Sequence, residues 1–284
     1  MGDLYDQTQD EIAPIDLRFS GDELEAELDR ITSFIDEQVA KQNVEGVVVG
    51  LSGGIDSTAV AHLAVEALGV EAVHGLVLPR EVNRDKNMND AEQVATDLGI
   101  TYDVVEIDPL LEQFLDLEMG ENPETTEEEW EHRFVGNTSA RIRMTIAYLL
   151  ANRENKLVLG TGNRVELGLG YVTKYGDGGV DCNPIGDLYK QQVRQLAAHF
   201  GVDESLVQKT PTGGMVDYDT DEEEFGVDYD TLDAILALAF DDGTPVSAAA
   251  RIANTTPEVI EQIVEMKRGS EHKRTVPPTP ADTE

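Results

Sequence analysis

The apolar positions of the chain alternate between two periods, and the switches mark its elements. Residues 22–40 (DELEAELDRITSFIDEQVA) place Leu24, Leu28, Ile31 and Ile35 on one face of a helix. VEGVVVG at 44–50 is an almost unbroken apolar run, the pattern of a strand buried on both faces. A helix follows over 56–68 and ends at Gly69, and VHGLVL at 73–78 repeats the buried-strand pattern. Residues 89–98 read as a helix stopped by Gly99, 101–107 (TYDVVEI) as a third strand, 139–152 as a helix and 156–160 (KLVLG) as a fourth strand. This alternation predicts an α/β fold, a parallel sheet with helices on both sides. The last third reads as helices over 188–200, 230–240, 244–253 and 256–267. No internal repeat or Pro/Gly hinge divides the chain, so one domain is expected over 21–274, with flexible segments at 1–20 and 275–284.

Charge narrows the partners. The 284 residues carry 57 acidic against 21 basic groups, a formal charge of −36. Nucleic-acid binding needs clustered Lys and Arg, and docking on anionic lipid needs the same, so both are excluded. No run approaches the roughly 18 apolar residues of a membrane span, and residues 1–20 show neither a basic nor an apolar leader pattern. A single cysteine, Cys182, excludes an intrachain disulfide framework and a cysteine-rich zinc site, and a cytoplasmic setting is expected by default. Acidity alone could signal disorder, but 40% of residues are hydrophobic and periodically placed. Of the 21 basic residues, 13 are Arg and only 8 Lys, and aromatics make up 6%. These features read as adaptation to concentrated salt, where a Debye length of about 3 Å screens surface repulsion.

The chemistry begins after the first strand. VEGVVVG runs into LSGGIDSTAV and then a helix, so backbone N–H groups and a helix N-terminus converge on one point, as at an anion site. Gly50, Gly53 and Gly54 permit close approach of a phosphate, and Ser52 and Ser57 supply hydroxyls. A Walker A loop is excluded because no Lys is present, and the dinucleotide pattern GxGxxG also fails. Gly50-Leu51-Ser52-Gly53-Gly54 does match the nucleophile elbow G-x-S-x-G, making Ser52 a rival hydrolase nucleophile. Against it, the loop follows the first strand, and none of His62, His74, His132, His199 and His272 is marked as a triad base. Ser52-Gly53-Gly54-Ile55-Asp56-Ser57 instead resembles the SGGxDS loop of the N-type ATP pyrophosphatases, which adenylate a substrate and release pyrophosphate. Residues 133–194 hold nine basic side chains against five acidic, so cations are concentrated where the rest of the chain sheds them. An anionic ligand is the natural cause, with Arg153 and Arg194 expected in internal ion pairs.

NTSARIRM (137–144), GTGNRVE (160–166), YVTKYGDGGVDCNPIGDLYK (171–190), KTPTGG (209–214) and EHKR (271–274) follow in order. With SGGIDS they resemble the NAD synthetase family, over roughly 30–274. The resemblance implies a single Rossmann-like domain of the adenine nucleotide alpha hydrolase type. It implies ATP-dependent amidation of deamido-NAD by ammonia through an adenylated nicotinate carboxylate, with AMP and pyrophosphate released. The loop Gly50, Leu51, Ser52, Gly53, Gly54, Ile55, Asp56 and Ser57 would hold the ATP phosphates, with Thr161, Lys190 and Thr212 also contacting ATP. Asp56 and Glu166 would bind Mg²⁺. Arg141, Lys174, Asp181, His272 and Lys273 would contact deamido-NAD, and Asp177 would lie near the reacting carboxylate. Asp56, Asp177 and Lys190 are thus the catalytic set.

Departures from the family pattern are local. Many bacterial members carry a GTDHAAE-like stretch where this chain has GTGNRVE, so Asn163 and Arg164 differ, and residues 241–268 look longer than the compact bacterial form. The glutamine-dependent members' amidase domain has no counterpart, so ammonia is the expected nitrogen donor. Cys182 reads as a packing residue. The resemblance also implies a homodimer, with the apolar faces of 22–40 and 139–152 (Ile142, Ile146, Leu149, Leu150) as candidates for its interface or for the core. Segment 208–229 reads as a lid, with Asp221–Glu224 a solvated acid run. The alternatives are another SGGxDS enzyme adenylating a different substrate, the Ser52 hydrolase, and a non-catalytic nucleotide-binding module.

Overall fold

The computed structural model describes residues 14–81, 84–117, 126, 130–207, 209, 222 and 225–280. Helix α1 (Gly21–Gln42) is opened by a capping box between Ser20 and Glu23 and closed by Asn43 in the left-handed conformation. Strand β1 (Val47–Gly50) leads through the Gly-rich loop into α2 (Ile55–Leu68). Then come β2 (Val73–Val77), α3 (Arg84–Leu98), β3 (Thr101–Val104) and α4 (Asp108–Leu115). A π-helical segment, Trp130–Gly136, feeds directly into α5 (Asn137–Glu154). Strand β4 (Leu157–Leu159) and α6 (Arg164–Leu169) follow.

The sheet is parallel throughout, in the order β3-β2-β1-β4. The chain builds outward from β1 on one side and then crosses back to place β4 on the other. Neighbouring connections therefore diverge at the carboxyl ends of β1 and β4, the place where open α/β sheets bind ligands. Alternation along β1 fills two cores. Val47 and Val49 pack with α1 and α2, while Val48 joins Leu76 and Val158 against Ala147 and Ala151 of α5. The third strand ends at Val104 rather than 107 and is largely exposed, because it lies at the edge.

The helical last third has its own core. Helices α7 (Lys190–His199), α8 (Glu204–Val207), α9 (Tyr229–Ile235), α10 (Val246–Ile252), α11 (Pro257–Gly269) and α12 (Glu271–Arg274) follow in order. Tyr229, Leu232, Ile235, Ala249, Ile260 and Ile263 pack there against Val165 and Leu169 of α6. Residues 15–19, part of the expected flexible N-terminal segment, run along α7. The side chains of Gln191, Gln192 and Gln195 bond to the backbone of Ile15, Leu17 and Phe19.

The structure resolves several expectations left open by the sequence. The apolar face of 22–40 is core, with Leu28, Ile31 and Ile35 buried against the sheet layer. Ile142 is also buried, with Ile107 and Leu111, whereas Leu149 stays 69% exposed. Arg194 forms its expected ion pair, with Asp230 at 2.8 Å. No ion pair to Arg153 is found among the described residues. The lid expectation falls on 208–229, of which 208, 210–221, 223 and 224 lie outside the described residues. No described helix is long and apolar enough to cross a membrane.

Candidate active site

The Gly-rich loop is closed on itself by its hydroxyls. The Ser52 N–H donates to Ser57 Oγ at 3.2 Å, the Gly54 N–H to Ser52 Oγ at 3.2 Å, and Ser57 Oγ and Thr58 Oγ1 both donate to the Gly54 carbonyl. Gly53 sits at φ +72°, where a side chain would be strained. Ser52 Oγ lies 3.1 Å from Ser57 Oγ, and no His is its partner among the described side chains. His62 stacks on Phe200, His74 is held by Glu154, His199 packs edge-on to Phe200 and His272 meets the Gly269 carbonyl. The hydrolase constellation is therefore missing among these residues.

Below the loop, four side chains converge. Lys190 Nζ lies 2.5 Å from Asp56 Oδ2, and Lys190 is only 1% exposed. Asn163 Nδ2 donates to Asp56 Oδ1 at 3.1 Å, and the Asn163 N–H donates to Glu166 Oε2 at 3.1 Å. Asn163, fully buried, thus bridges the two carboxylates. Burial pushes the Lys190 ammonium pKa down, but the charges of Asp56 and Glu166 outweigh it and leave the pKa above its ordinary value. Two carboxylates drawn toward one buried cation make an oxygen-donor set that suits Mg²⁺, which takes one or two protein carboxylates and completes its shell with water and phosphate. Among the described residues no cluster of three or more His, Cys, Asp or Glu could cage a metal alone.

A second cluster lies at the other end of α6, about 9 Å of helix away. Arg141 Nε donates to the Lys174 carbonyl, Lys174 Nζ to the His272 carbonyl, and Lys273 Nζ to the Gly170 carbonyl. Asp177 accepts the Thr173 N–H at 2.9 Å. Asp177 is reached by solvent, yet desolvation by the surrounding protein pushes its carboxyl pKa above the ordinary range, against the pull of the Thr173 bonds and Lys273. Tyr175, in the same turn, holds φ +62°, a strained conformation for a ring-bearing residue. Arg141, Lys174, Asp177, His272 and Lys273 are therefore brought together.

The other expected residues are placed differently. Asp181 accepts the Val158 N–H at 2.7 Å and the Tyr148 hydroxyl at 3.1 Å, and among the described residues no hydrogen bond or ion pair joins it to that cluster. Thr161 lies in the turn after β4, beside the Gly-rich loop's end of the sheet, and Thr212 is outside the described residues. Burial pushes the Cys182 thiol up to about 11, as suits a packing residue.

Two residues carry more than their sequence context suggests. Asn163 is the bridge, and its sequence signal is a capping box with Glu166 that opens α6. Lys209 Nζ donates to the Gly53 carbonyl at 3.0 Å and pairs with Asp90 at 2.7 Å, tying the loop to α3. Arg164, by contrast, pairs with Asp241 and stacks over Tyr189, so part of the cation surplus serves structure.

A Gly-rich anion loop at the carboxyl end of a parallel sheet, backed by a buried Asp–Lys pair and a second carboxylate, defines an α/β nucleotide-binding protein with an SGGxDS phosphate loop. The NAD synthase family model matches residues 27–277, and the chain belongs to that family. It is 54% identical over 271 residues to the NH(3)-dependent NAD(+) synthetase of Halobacterium salinarum, covering 95% of this chain and 98% of that one. NMN synthetase from Francisella tularensis superposes with a TM-score of 0.77 at 33% identity, covering 92% of this chain and 99% of that one. NH3-dependent NAD synthetase from Campylobacter jejuni gives 0.71 at 32% identity, covering 90% and 98%.

Proposed function

We propose that the chain is an ammonia-dependent NAD synthetase. The observation that carries this reading is the Asp56–Lys190–Asn163–Glu166 constellation beneath the Gly-rich loop, in a chain so similar to an enzyme of that name. The loop from Gly50 to Ser57 holds the ATP phosphates, with Thr161, Lys190 and Thr212 as further contacts. Arg141, Lys174, Asp181, His272 and Lys273 hold deamido-NAD. A carboxylate oxygen of the nicotinate attacks the α-phosphorus, and the bond to pyrophosphate breaks. Both reactants are anions, so the ammonium of Lys190 offsets their repulsion and the charge growing on the leaving group. Asp56 and Glu166 would hold Mg²⁺, which when bound neutralises phosphate charge. Ammonia then attacks the carbonyl carbon of the mixed anhydride, and AMP leaves. Asp177, beside the cationic cluster, takes the proton from nitrogen, a role that its position next to Lys273 and its raised carboxyl pKa support.

The test is turnover at high KCl with Mg-ATP, deamido-NAD and ammonium. NAD, AMP and pyrophosphate are expected in equal amounts; ADP in place of AMP would sink the adenylation step. A second reading rests on the likeness to an NMN synthetase, which points to a mononucleotide product. Comparing kcat/KM for the mononucleotide and dinucleotide acids decides between them, with the dinucleotide expected to be preferred. The working unit is a homodimer, and the exposed apolar residues Phe114, Leu117, Trp130, Phe134 and Leu149 are its candidate surface. Sedimentation in molar KCl should give the dimer mass, and a monomer would contradict this.

A further inference from the structure

Lys190 is the first residue of α7, and its long side chain must cross a buried space to reach Asp56. A lysine carries much rotamer freedom, so something must fix it. Both fixings come from α9. Asp233, fully buried, accepts the Lys190 N–H through Oδ1 and the Gln191 N–H through Oδ2, each at 3.0 Å. One turn earlier on the same helix, the ring of Tyr229 lies 4.7 Å from Lys190 Nζ. Asp233 therefore holds the backbone end of Lys190 and Tyr229 flanks its charged end. Arg194 and Asp230, paired at 2.8 Å, also join α7 to α9.

The carboxylate is an expensive way to close a helix start. Burial pushes the Asp233 carboxyl up to about 7, and the two N–H bonds and Arg194 only partly offset this, with Asp230 adding repulsion. A Ser or Thr cap would satisfy one N–H without burying an ionisable group. What the carboxylate adds is two simultaneous bonds that set the direction of the first turn.

We infer that Asp233 and Tyr229 are positioning residues for catalysis, clamping Lys190 so that its ammonium is aimed at the phosphate loop before ATP arrives. The inference rests on the reading of Lys190 as the ATP-contacting cation. It assigns the helical last third of the chain a part in the reaction beyond packing.

A double-mutant cycle on the full chain tests it, using Asp233→Asn, Lys190→Met and the pair. The Asn amide keeps one acceptor and turns a donor toward a backbone N–H. Asp233→Asn should lower kcat roughly tenfold, a size typical of coupled neighbours, with KM for deamido-NAD unchanged. In the Lys190→Met background it should change kcat less than about twofold. Tyr229→Leu should behave in the same way and serves if Asp233→Asn does not fold. Gln195→Ala, which loosens the N-terminal segment from α7, should lower the melting temperature and leave kcat intact. Equal losses of kcat from Asp233→Asn with and without Lys190 would overturn the clamp while leaving Lys190 in its role. Wild-type kcat in Lys190→Met would overturn the Lys190 reading and the clamp with it.

Discussion

Asp56→Asn changes one oxygen to nitrogen and keeps the shape of the side chain. The amide carbonyl could still accept from Asn163, but its NH₂ would face the Lys190 ammonium where a carboxylate oxygen now lies at 2.5 Å. Lys190 is 1% exposed, so water cannot replace the lost charge. Removing one partner of a buried pair costs roughly 3–5 kcal/mol. Asp56 itself keeps 18% exposure and Glu166 still attracts the ammonium, so about 2–3 kcal/mol is expected here. For a chain of this size that is a fall of roughly 5–10 °C in melting temperature, and because the pair is buried, molar KCl should not hide it. Catalysis should suffer more, by about 10²–10³ in kcat, because charge stabilisation of the transferring group is lost. The assay pairs thermal melts with and without Mg²⁺ with initial rates of pyrophosphate release. Turnover within threefold of wild type, or an unchanged stabilisation by Mg²⁺, would refute the reasoning.

Asn163→Ala removes the bridge between the carboxylates and the cap of α6; a loss of about 1 kcal/mol in stability and of roughly 10–100-fold in apparent Mg²⁺ affinity is expected from melts and Mg²⁺-dependent rates. Cys182 should resist iodoacetamide at pH 8 in the folded protein and react once it is unfolded, as mass spectrometry would read, because burial holds its thiol near 11. Asp233 gives a pH signature. Its folded pKa of about 7 lies above its ordinary 3.8, so the fold keeps a proton that the unfolded chain releases. Its contribution is full below about pH 4 and is lost as pH rises through 7, on the order of 4 kcal/mol in all. Wild-type stability relative to Asp233→Asn should therefore fall between about pH 4 and 7 and flatten above about 8, in denaturant titrations at constant KCl.

The parts of the molecule legible in the sequence are those whose signal is local. The buried runs around Val48 and Leu76 announce a parallel sheet, and SGGIDS announces a phosphate loop, because strand burial and backbone approach each demand particular residues in consecutive positions. Short elements escape such patterns. Helix α4 is hidden because Val105 and Ile107 extend the apolar run of the strand before it, and α6, six residues long, is too brief for helical periodicity. The Asn163 bridge joins residues 107 positions apart, and the Asp233 clamp joins residues 43 positions apart. No spacing rule reports such pairs, since only the packing of α6, α7 and α9 brings them together. The basic segment at 133–194 has a divided purpose: Lys190 and Lys174 serve the two clusters, while Lys156, Arg164 and Arg194 pair with nearby acids.

The central claim is that the nicotinate carboxylate is adenylated, and its oxygen can be followed. Deamido-NAD labelled with ¹⁸O in that carboxylate is turned over with Mg-ATP and ammonium, and the products are weighed by mass spectrometry. One labelled oxygen should appear in the phosphate of AMP for each NAD formed, with none in pyrophosphate. AMP without label, or label in any other phosphate product, would contradict the account.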